Sequence, residues 1–168
     1  MALSYSARHP DQLTGLIVTG TALQDALALP AWKRNLATLL SRVTPALKMN
    51  NCVAPSGLSR DPAVLTAFEA DALTHRWGTP RLSTEVDATR AQVWQSAAAW
   101  HVPLLMLHGG ADPVCLPEGA RQFAAQAPAG LVDYREYPRA YHEIHNEPEK
   151  EQVFRDVEAW LRAQLRVV

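Results

Sequence analysis

The sequence has no excess of charge of one sign, because 16 Lys and Arg residues are set against 17 Asp and Glu residues. Nucleic-acid-binding domains usually carry a clustered basic face, so this balance argues against that class of partner. Long apolar runs are also missing, and the first residues do not combine a basic start, an apolar stretch and a small-residue cleavage site. We therefore expect no membrane-spanning helix and no secretory signal, which favours a cytoplasmic location.

Cysteine is scarce, and the few candidate metal ligands are poorly spaced. Cys52 and Cys115 are the two cysteines, and in a chain of this composition two free thiols are the expectation. His142 and His145 stand three positions apart, but no H-E-x-x-H motif and no third plausible ligand accompany them. We therefore predict neither a metal site nor any cofactor.

What the sequence does contain is typical of one α/β domain. Its 168 residues are 48% hydrophobic and 20% charged, within the ordinary globular range. Residues 13–20, "LTGLIVTG", and 102–110, "VPLLMLHGG", lack the alternation of half-solvated strands, which predicts strands covered on both faces of a parallel sheet. Residues 131–138, "LVDYREYP", alternate more and predict a strand nearer a sheet edge.

Helical patterns separate these strands. Residues 1–23 begin with a short helix that stops before Pro10, and residues 117–127 predict a helix between the second and third strands. The last helix is predicted from a capping box of Asn146 and Glu149, and its apolar face combines Val153, Val157, Trp160 and Leu161. Residues 24–100 show helical spacing broken by proline and glycine, so we expect an inserted helical cap, followed by a final α/β part at residues 101–168.

Two residues with catalytic potential follow predicted strands. Asp112 stands in "HGGADPVC" after the second strand, and His142 stands in "PRAYHEIHNEPEK" after the third. Catalytic groups gather at the carboxyl edge of parallel sheets, so the two loops should be neighbours. A histidine that moves protons for a hydroxyl nucleophile works best when a carboxylate fixes its tautomer. Asp112 and His142 are therefore the candidate acid and base.

These segments, together with "LSRDPAVLTAFEADAL" and "YSARHPDQLTGLIVTG", resemble the monoacylglycerol lipase and lysophospholipase branch of the α/β-hydrolase superfamily, of the serine aminopeptidase S33 type. The resemblance implies the C-terminal half of an α/β-hydrolase fold, with about three parallel strands, flanking helices and an inserted helical cap. It also implies a triad in the order serine, acid, histidine, in which Asp112 and His142 are the second and third members. Val114 and Cys115 are candidate substrate-pocket residues.

The nucleophile expected from this resemblance is missing. No G-x-S-x-G occurs in the 168 residues, and Met1 is expected to lie roughly four residues beyond the absent serine, inside the helix that follows it. Ser4 and Ser6 lie within that helix, whereas a nucleophile needs the sharp turn before it. We therefore predict a truncated serine ester hydrolase that is inactive by itself.

Two alternatives stay open. One is a non-catalytic binding or complementing module that needs a partner carrying the serine half, and the exposed edge of the first strand would favour such pairing or self-association. The other is a different α/β-hydrolase reaction, such as that of a peptidase, an epoxide hydrolase or a haloperoxidase. For the parent enzyme the expected substrate is a monoacylglycerol or lysophospholipid, with peripheral contact to a membrane or lipid aggregate.

Overall fold

The computed structural model describes residues 1–26, 30–51 and 53–165. Within them the strands, in chain order, are β1 (Leu16–Thr19), β2 (Met49–Asn50), β3 (Trp77–Gly78), β4 (Leu104–Gly109) and β5 (Val132–Tyr137). The α-helices are α1 (Ala2–Arg8), α2 (Ala31–Val43), α3 (Pro62–Ala70), α4 (Pro80–Ser96), α5 (Pro117–Gln126) and α6 (Lys150–Leu165). No helix in the described ranges combines the length and the apolar character needed to cross a membrane.

The central sheet is parallel and has the order β1-β4-β5. All six residues of β4 are buried and those of β5 are partly buried, which confirms an interior strand and an edge strand. Strand β1 is shorter than predicted and is not covered on both faces, since Leu16 and Ile17 are only partly buried. The reason is its position: within the described sheet β1 pairs with β4 alone and forms the other edge.

The sheet separates two apolar layers, because successive residues of a strand point to opposite faces. Leu104 and Met106 pack with residues of α1, α4 and α5, whereas Leu105 and Leu107 pack with residues of α6. Helices therefore cover both faces of the sheet. This is the partial α/β-hydrolase arrangement that the sequence predicted.

The segment predicted as a cap contains α2, α3 and α4. Asp61 accepts a hydrogen bond from the Ala63 N–H at the start of α3, and Thr79 accepts one from the Leu82 N–H at the start of α4. Such side-chain caps satisfy backbone groups that the first helical turn leaves free. The segment also holds the antiparallel pair of β2 and β3, which the sequence analysis missed. Two-residue strands leave no periodicity to detect.

Two expectations about apolar helix faces are corrected. On α6, Val153 and Trp160 are buried and Val157 packs beside them, but Leu161 is 42% exposed. The predicted capping box is also wrong, because Asn146 belongs to a preceding 3-10 turn and α6 begins only at Lys150. The Asn146 amide instead donates to Glu143.

The apolar stripe of α2 does not face the core. Trp32, Leu36, Leu39 and Val43 are between 45% and 68% exposed. The opposite side of this helix carries Ser41, which is buried and hydrogen-bonds to Thr84 of α4. The sequence left open whether the stripe packs on neighbouring helices or forms an apolar groove. In this structure Trp32 and Leu36 border an apolar groove that Leu82 and Ser83 of α4 also line.

Candidate active site

The two candidate catalytic side chains meet at the carboxyl end of the sheet. Asp112 follows β4 and His142 follows β5, and these two strands are neighbours. The distance between His142 Nδ1 and Asp112 Oδ2 is 2.8 Å. Because a carboxylate only accepts hydrogen bonds, Nδ1 carries the proton and donates it, which leaves Nε2 with a free lone pair. This is the tautomer that a general base requires.

Asp112 is buried and held by several donors. The residue as a whole is 3% exposed, and Oδ1 accepts hydrogen bonds from the backbone N–H groups of Val114 at 2.8 Å and Cys115 at 3.0 Å. Burial raises the pKa of this carboxyl, but hydrogen bonds from two imidazoles and two backbone N–H groups outweigh burial and hold the pKa well below its usual range. Asp112 is therefore an ionised acceptor at neutral pH.

Two glycines allow the loops to approach this closely. A Cβ on Gly109 would lie 2.1 Å from the carbonyl oxygen of Tyr141, so only glycine fits there without moving the loop of His142. Gly20, directly after β1, has a φ of +52° and a Cβ there would lie 3.0 Å from His142 Cε1. The strand ends of β1, β4 and β5 thus converge on the His142 ring.

A cavity of about 650 Å³ lies beside this pair. Pro113, Val114 and Cys115 from the acid loop line one part of it, and Tyr141 comes from the histidine loop. Both predicted pocket residues therefore reach the cavity. The remaining lining residues are Asp25, Ala26, Asn51, Val53, Ala54, Ser56 and Gly57.

Cys115 does not have the properties of a reactive thiol. Burial, together with the charge of Asp112, raises its pKa to about 12, so the reactive thiolate is scarce near neutral pH. It is a free cysteine, as predicted. Cys52 lies outside the described residues.

The two serines near the start of the chain lie inside a helix, as the sequence analysis expected. Ser4 and Ser6 are buried within α1, and neither bonds to His142. Within the described residues the Ser6 hydroxyl has no hydrogen-bond partner, and none is seen at Nε2 of His142. His145 is exposed at the surface.

Sequence reasoning missed a second histidine at the acid. His108, the fifth residue of β4, is fully buried, and its Nε2 lies 3.1 Å from the carbonyl oxygen of Cys115 and 3.2 Å from Asp112 Oδ2. The sequence does contain one indication of this contact, since His108 stands four residues before Asp112 at the end of a buried strand. That spacing predicts proximity but not a hydrogen bond.

A network of bonds between the cap segment and the histidine loop was also missed. The N–H of Glu143 donates to the Leu58 carbonyl at 2.8 Å, and Ser59 Oγ donates to the Asn146 carbonyl at 3.0 Å. Arg60 forms an ion pair with Glu147, whose side chain is 1% exposed. These residues are 84 or more positions apart in sequence, so no local pattern reveals them.

Comparison with known proteins identifies the family. Residues 1–149 match the sequence profile described as serine aminopeptidase, S33. The chain belongs to this family. Relatives of the chain include a monoacylglycerol lipase of Mycolicibacterium smegmatis, which is 29% identical over 98% of this chain and 59% of its own length. The chain therefore spans about three fifths of that relative.

Solved structures agree with the S33 assignment. A monoacylglycerol lipase of Paleococcus ferrophilus superposes with a TM-score of 0.91 and 29% identity, over 96% of this chain and 63% of that one. A soluble variant of the monoglyceride lipase of Saccharomyces cerevisiae, solved with a substrate analogue, superposes with a TM-score of 0.82 and 20% identity, over 97% of this chain and 58% of that one, and supports the fold. The expected monoacylglycerol lipase-like branch of the α/β-hydrolases is thus confirmed.

Proposed function

We propose that this chain provides the acid and the base of a serine hydrolase that cleaves monoacylglycerol esters, and that the serine lies outside its 168 residues. The observation that carries the proposal is the 2.8 Å contact between His142 Nδ1 and buried Asp112. A cavity lies next to this pair, because Pro113 and Tyr141, the chain neighbours of the two residues, line it. A catalytic role for these two residues is supported by their family and by this geometry. By itself the chain is expected to be inactive, because it lacks a nucleophile.

The reaction would proceed through an acyl-enzyme. His142 Nε2 takes the serine hydroxyl proton as the oxygen bonds to the ester carbon, and it then returns the proton to the departing glycerol oxygen as the ester C–O bond breaks. Water next gives a proton to Nε2 as its oxygen bonds to the acyl carbon. The acyl–serine C–O bond then breaks, Nε2–H returns the proton to the serine oxygen, and the fatty acid is released. Throughout, Asp112 accepts the Nδ1–H bond and stabilises the imidazolium.

The cavity favours an uncharged head group. Its ionised lining side chain is Asp25, whose carboxylate is paired with Arg90 at 2.7 Å, and Asn51 and Ser56 contribute neutral polar groups. None of the described lining residues is a Lys or Arg that could pair with a phosphate, whereas glycerol hydroxyls can hydrogen-bond to Asp25, Asn51 and Ser56. We therefore place monoacylglycerol ahead of lysophospholipid as the substrate.

A second cavity has room for the acyl chain. It measures about 450 Å³ and is lined by apolar side chains that include Trp32, Leu36 and Met49. Asn51 lines both cavities, so the two are adjacent. Apolar cavities of this size are typical of small-molecule sites.

The test combines binding and covalent labelling of the purified chain. An ether analogue of monoacylglycerol, which cannot be hydrolysed, should shift the amide resonances of Val114 and Tyr141 in solution NMR. Val114→Trp should abolish the shift at Tyr141 by filling the cavity, and Leu73→Trp, at an 89% exposed position, should retain the shifts at Val114 and Tyr141. A fluorophosphonate probe should label no residue of the folded chain.

Three results would contradict the proposal. Unperturbed resonances at Val114 and Tyr141 would place the ligand elsewhere. A labelled serine would show that the nucleophile lies within these residues. Tighter binding of lysophosphatidylcholine than of the ether analogue would overturn the choice of head group. A different result would favour the complementing-module alternative: the probe labels an added partner that carries the serine, and it does so only when this chain is present.

A further inference from the structure

We infer that His108 is a positioning residue for the candidate triad: its Nε2–H group holds Asp112 Oδ2 in the orientation that accepts the bond from His142 Nδ1. His108 stands at the end of β4, and the loop that carries Asp112 folds back over its ring. Any catalytic consequence of this contact rests on the proposed function, whereas the contact itself does not.

The tautomer of His108 follows from its neighbours. Nε2 lies 3.1 Å from the carbonyl oxygen of Cys115, and a carbonyl oxygen only accepts, so Nε2 carries the proton. The other ring nitrogen, Nδ1, is buried and has no hydrogen-bond partner within the described residues. A proton on Nδ1 would leave a buried donor unpaired, which is costly, and the bare nitrogen avoids that cost.

The His108 Nε2–H group hydrogen-bonds to the Cys115 carbonyl at one end of the acid loop and lies close to the Asp112 carboxylate at the other end. It lies 3.2 Å from Asp112 Oδ2 and 3.1 Å from Cys115 O, while the Cys115 N–H donates to Asp112 Oδ1. The His108 ring thus lies between the carboxylate and the backbone that also binds it. Both side chains of the His108–Asp112 contact are completely inaccessible to solvent, so water cannot replace this donor.

This arrangement divides the two oxygens of Asp112 between two tasks. Oδ1 is held by the backbone N–H groups of Val114 and Cys115. Oδ2 receives Nδ1–H of His142 at 2.8 Å and has His108 as its other close donor. When one donor already lies close to a carboxylate oxygen, a second donor can approach that oxygen only from a limited range of directions. His108 therefore fixes the direction from which His142 is bound.

The experiment compares three variants of the chain as it exists. His108→Gln keeps an N–H donor near the position of Nε2, and His108→Met fills the space without a donor. Met106→Val is the control for packing, because it changes a fully buried residue two positions earlier on the same face of β4. The readout is the low-field NMR resonance of the His142 Nδ1 proton and its rate of exchange with water.

We expect His108→Met to speed that exchange roughly tenfold, the size of effect expected when a hydrogen bond to a charged group is lost. His108→Gln and Met106→Val should stay within about threefold of the unmodified chain, a difference of under 0.7 kcal/mol on the same scale. Equal effects of His108→Gln and His108→Met, or no effect of either, would overturn the inference, since ring packing would then explain the contact.

A measurement on the unmodified chain keeps the inference testable if His108→Met fails to fold. The ¹⁵N chemical shifts of His108 should show a protonated Nε2 and an unprotonated Nδ1. A proton on Nδ1 would overturn the inference without any variant. Loss of lipid-analogue binding with normal His108 shifts would count against the proposed function alone, so the two failures are distinguishable.

Discussion

Gly20 is the single residue through which β1 reaches the candidate base. Its φ of +52° lies in the left-handed region, and a Cβ would lie 3.0 Å from His142 Cε1 and from the His142 carbonyl oxygen. We expect Gly20→Ala to lower the free energy of unfolding by about 1–2 kcal/mol and to displace the imidazole. Chemical denaturation and the NMR resonances of the His142 ring measure these two effects.

Gly130 provides a matched control for this residue. It also has a positive φ, +83°, but a Cβ there has no neighbour within 4 Å. Gly130→Ala should therefore cost about the same backbone strain and leave the His142 resonances in place. If both variants moved those resonances, or neither did, contact between Gly20 and His142 would have no role in placing the base.

At the scale of elements, an ion pair joins the cap segment to the loop of His142. Glu147, just after that loop, is 1% exposed and accepts bonds from both the backbone N–H and Nε of Arg60. Removing one partner of a buried pair leaves an uncompensated charge. We expect Glu147→Gln to cost about 2–3 kcal/mol, near the lower end of the usual range because Arg60 is 26% exposed. Denaturant unfolding measures the loss.

The position of the loop has its own readout. The Glu143 N–H, which bonds to the Leu58 carbonyl, should exchange faster with solvent in Glu147→Gln. Glu149→Gln is the control, since Glu149 also contacts Arg60 but is 38% exposed, and its loss should cost less than about 1 kcal/mol. Equal costs for the two variants would mean that burial of Glu147 does not matter to this connection.

At the scale of the whole molecule, the first half of the cap segment combines exposed apolar residues with positive charge. Residues 26–60 contain five Lys and Arg residues and no Asp or Glu, and α2 exposes Trp32, Leu36, Leu39 and Val43. An apolar face with nearby cations is typical of helices that lie on anionic membranes. We expect the chain to bind vesicles that contain phosphatidylglycerol. Leu39→Glu should weaken that binding roughly tenfold, because the variant can no longer bury this leucine in the membrane.

Leu73→Glu is the matched control, because Leu73 is 89% exposed and lies outside α2. Vesicle flotation should separate the two variants, and added salt should weaken binding of the unmodified chain. Equal binding by Leu39→Glu and Leu73→Glu would argue against α2 as the membrane-facing helix. Self-association through the open edge of β1 stays a separate prediction, for which the solution mass is the measurement.

Much of the fold was predictable because it depends on local patterns. The fully apolar run of β4 predicted an interior strand, and the alternation of β5 predicted an edge. Asp112 and His142 were found from their positions after these strands. By contrast, the capping box predicted at Asn146 was wrong. The spacing of Asn146 and Glu149 fits the motif, but Asn146 lies in a 3-10 turn and α6 begins only at Lys150.

The sequence by itself determined the class of fold, the order of strands and helices, and the acid and base candidates, because periodicity and chain order act over a few residues. Only the tertiary structure decided that the stripe on α2 stays exposed and that His108 and Glu147 contact the two loops of the site. These features depend on pairs such as Arg60 and Glu147, which lie 87 positions apart. Such contacts form only when folding brings distant segments together, and no local pattern records them.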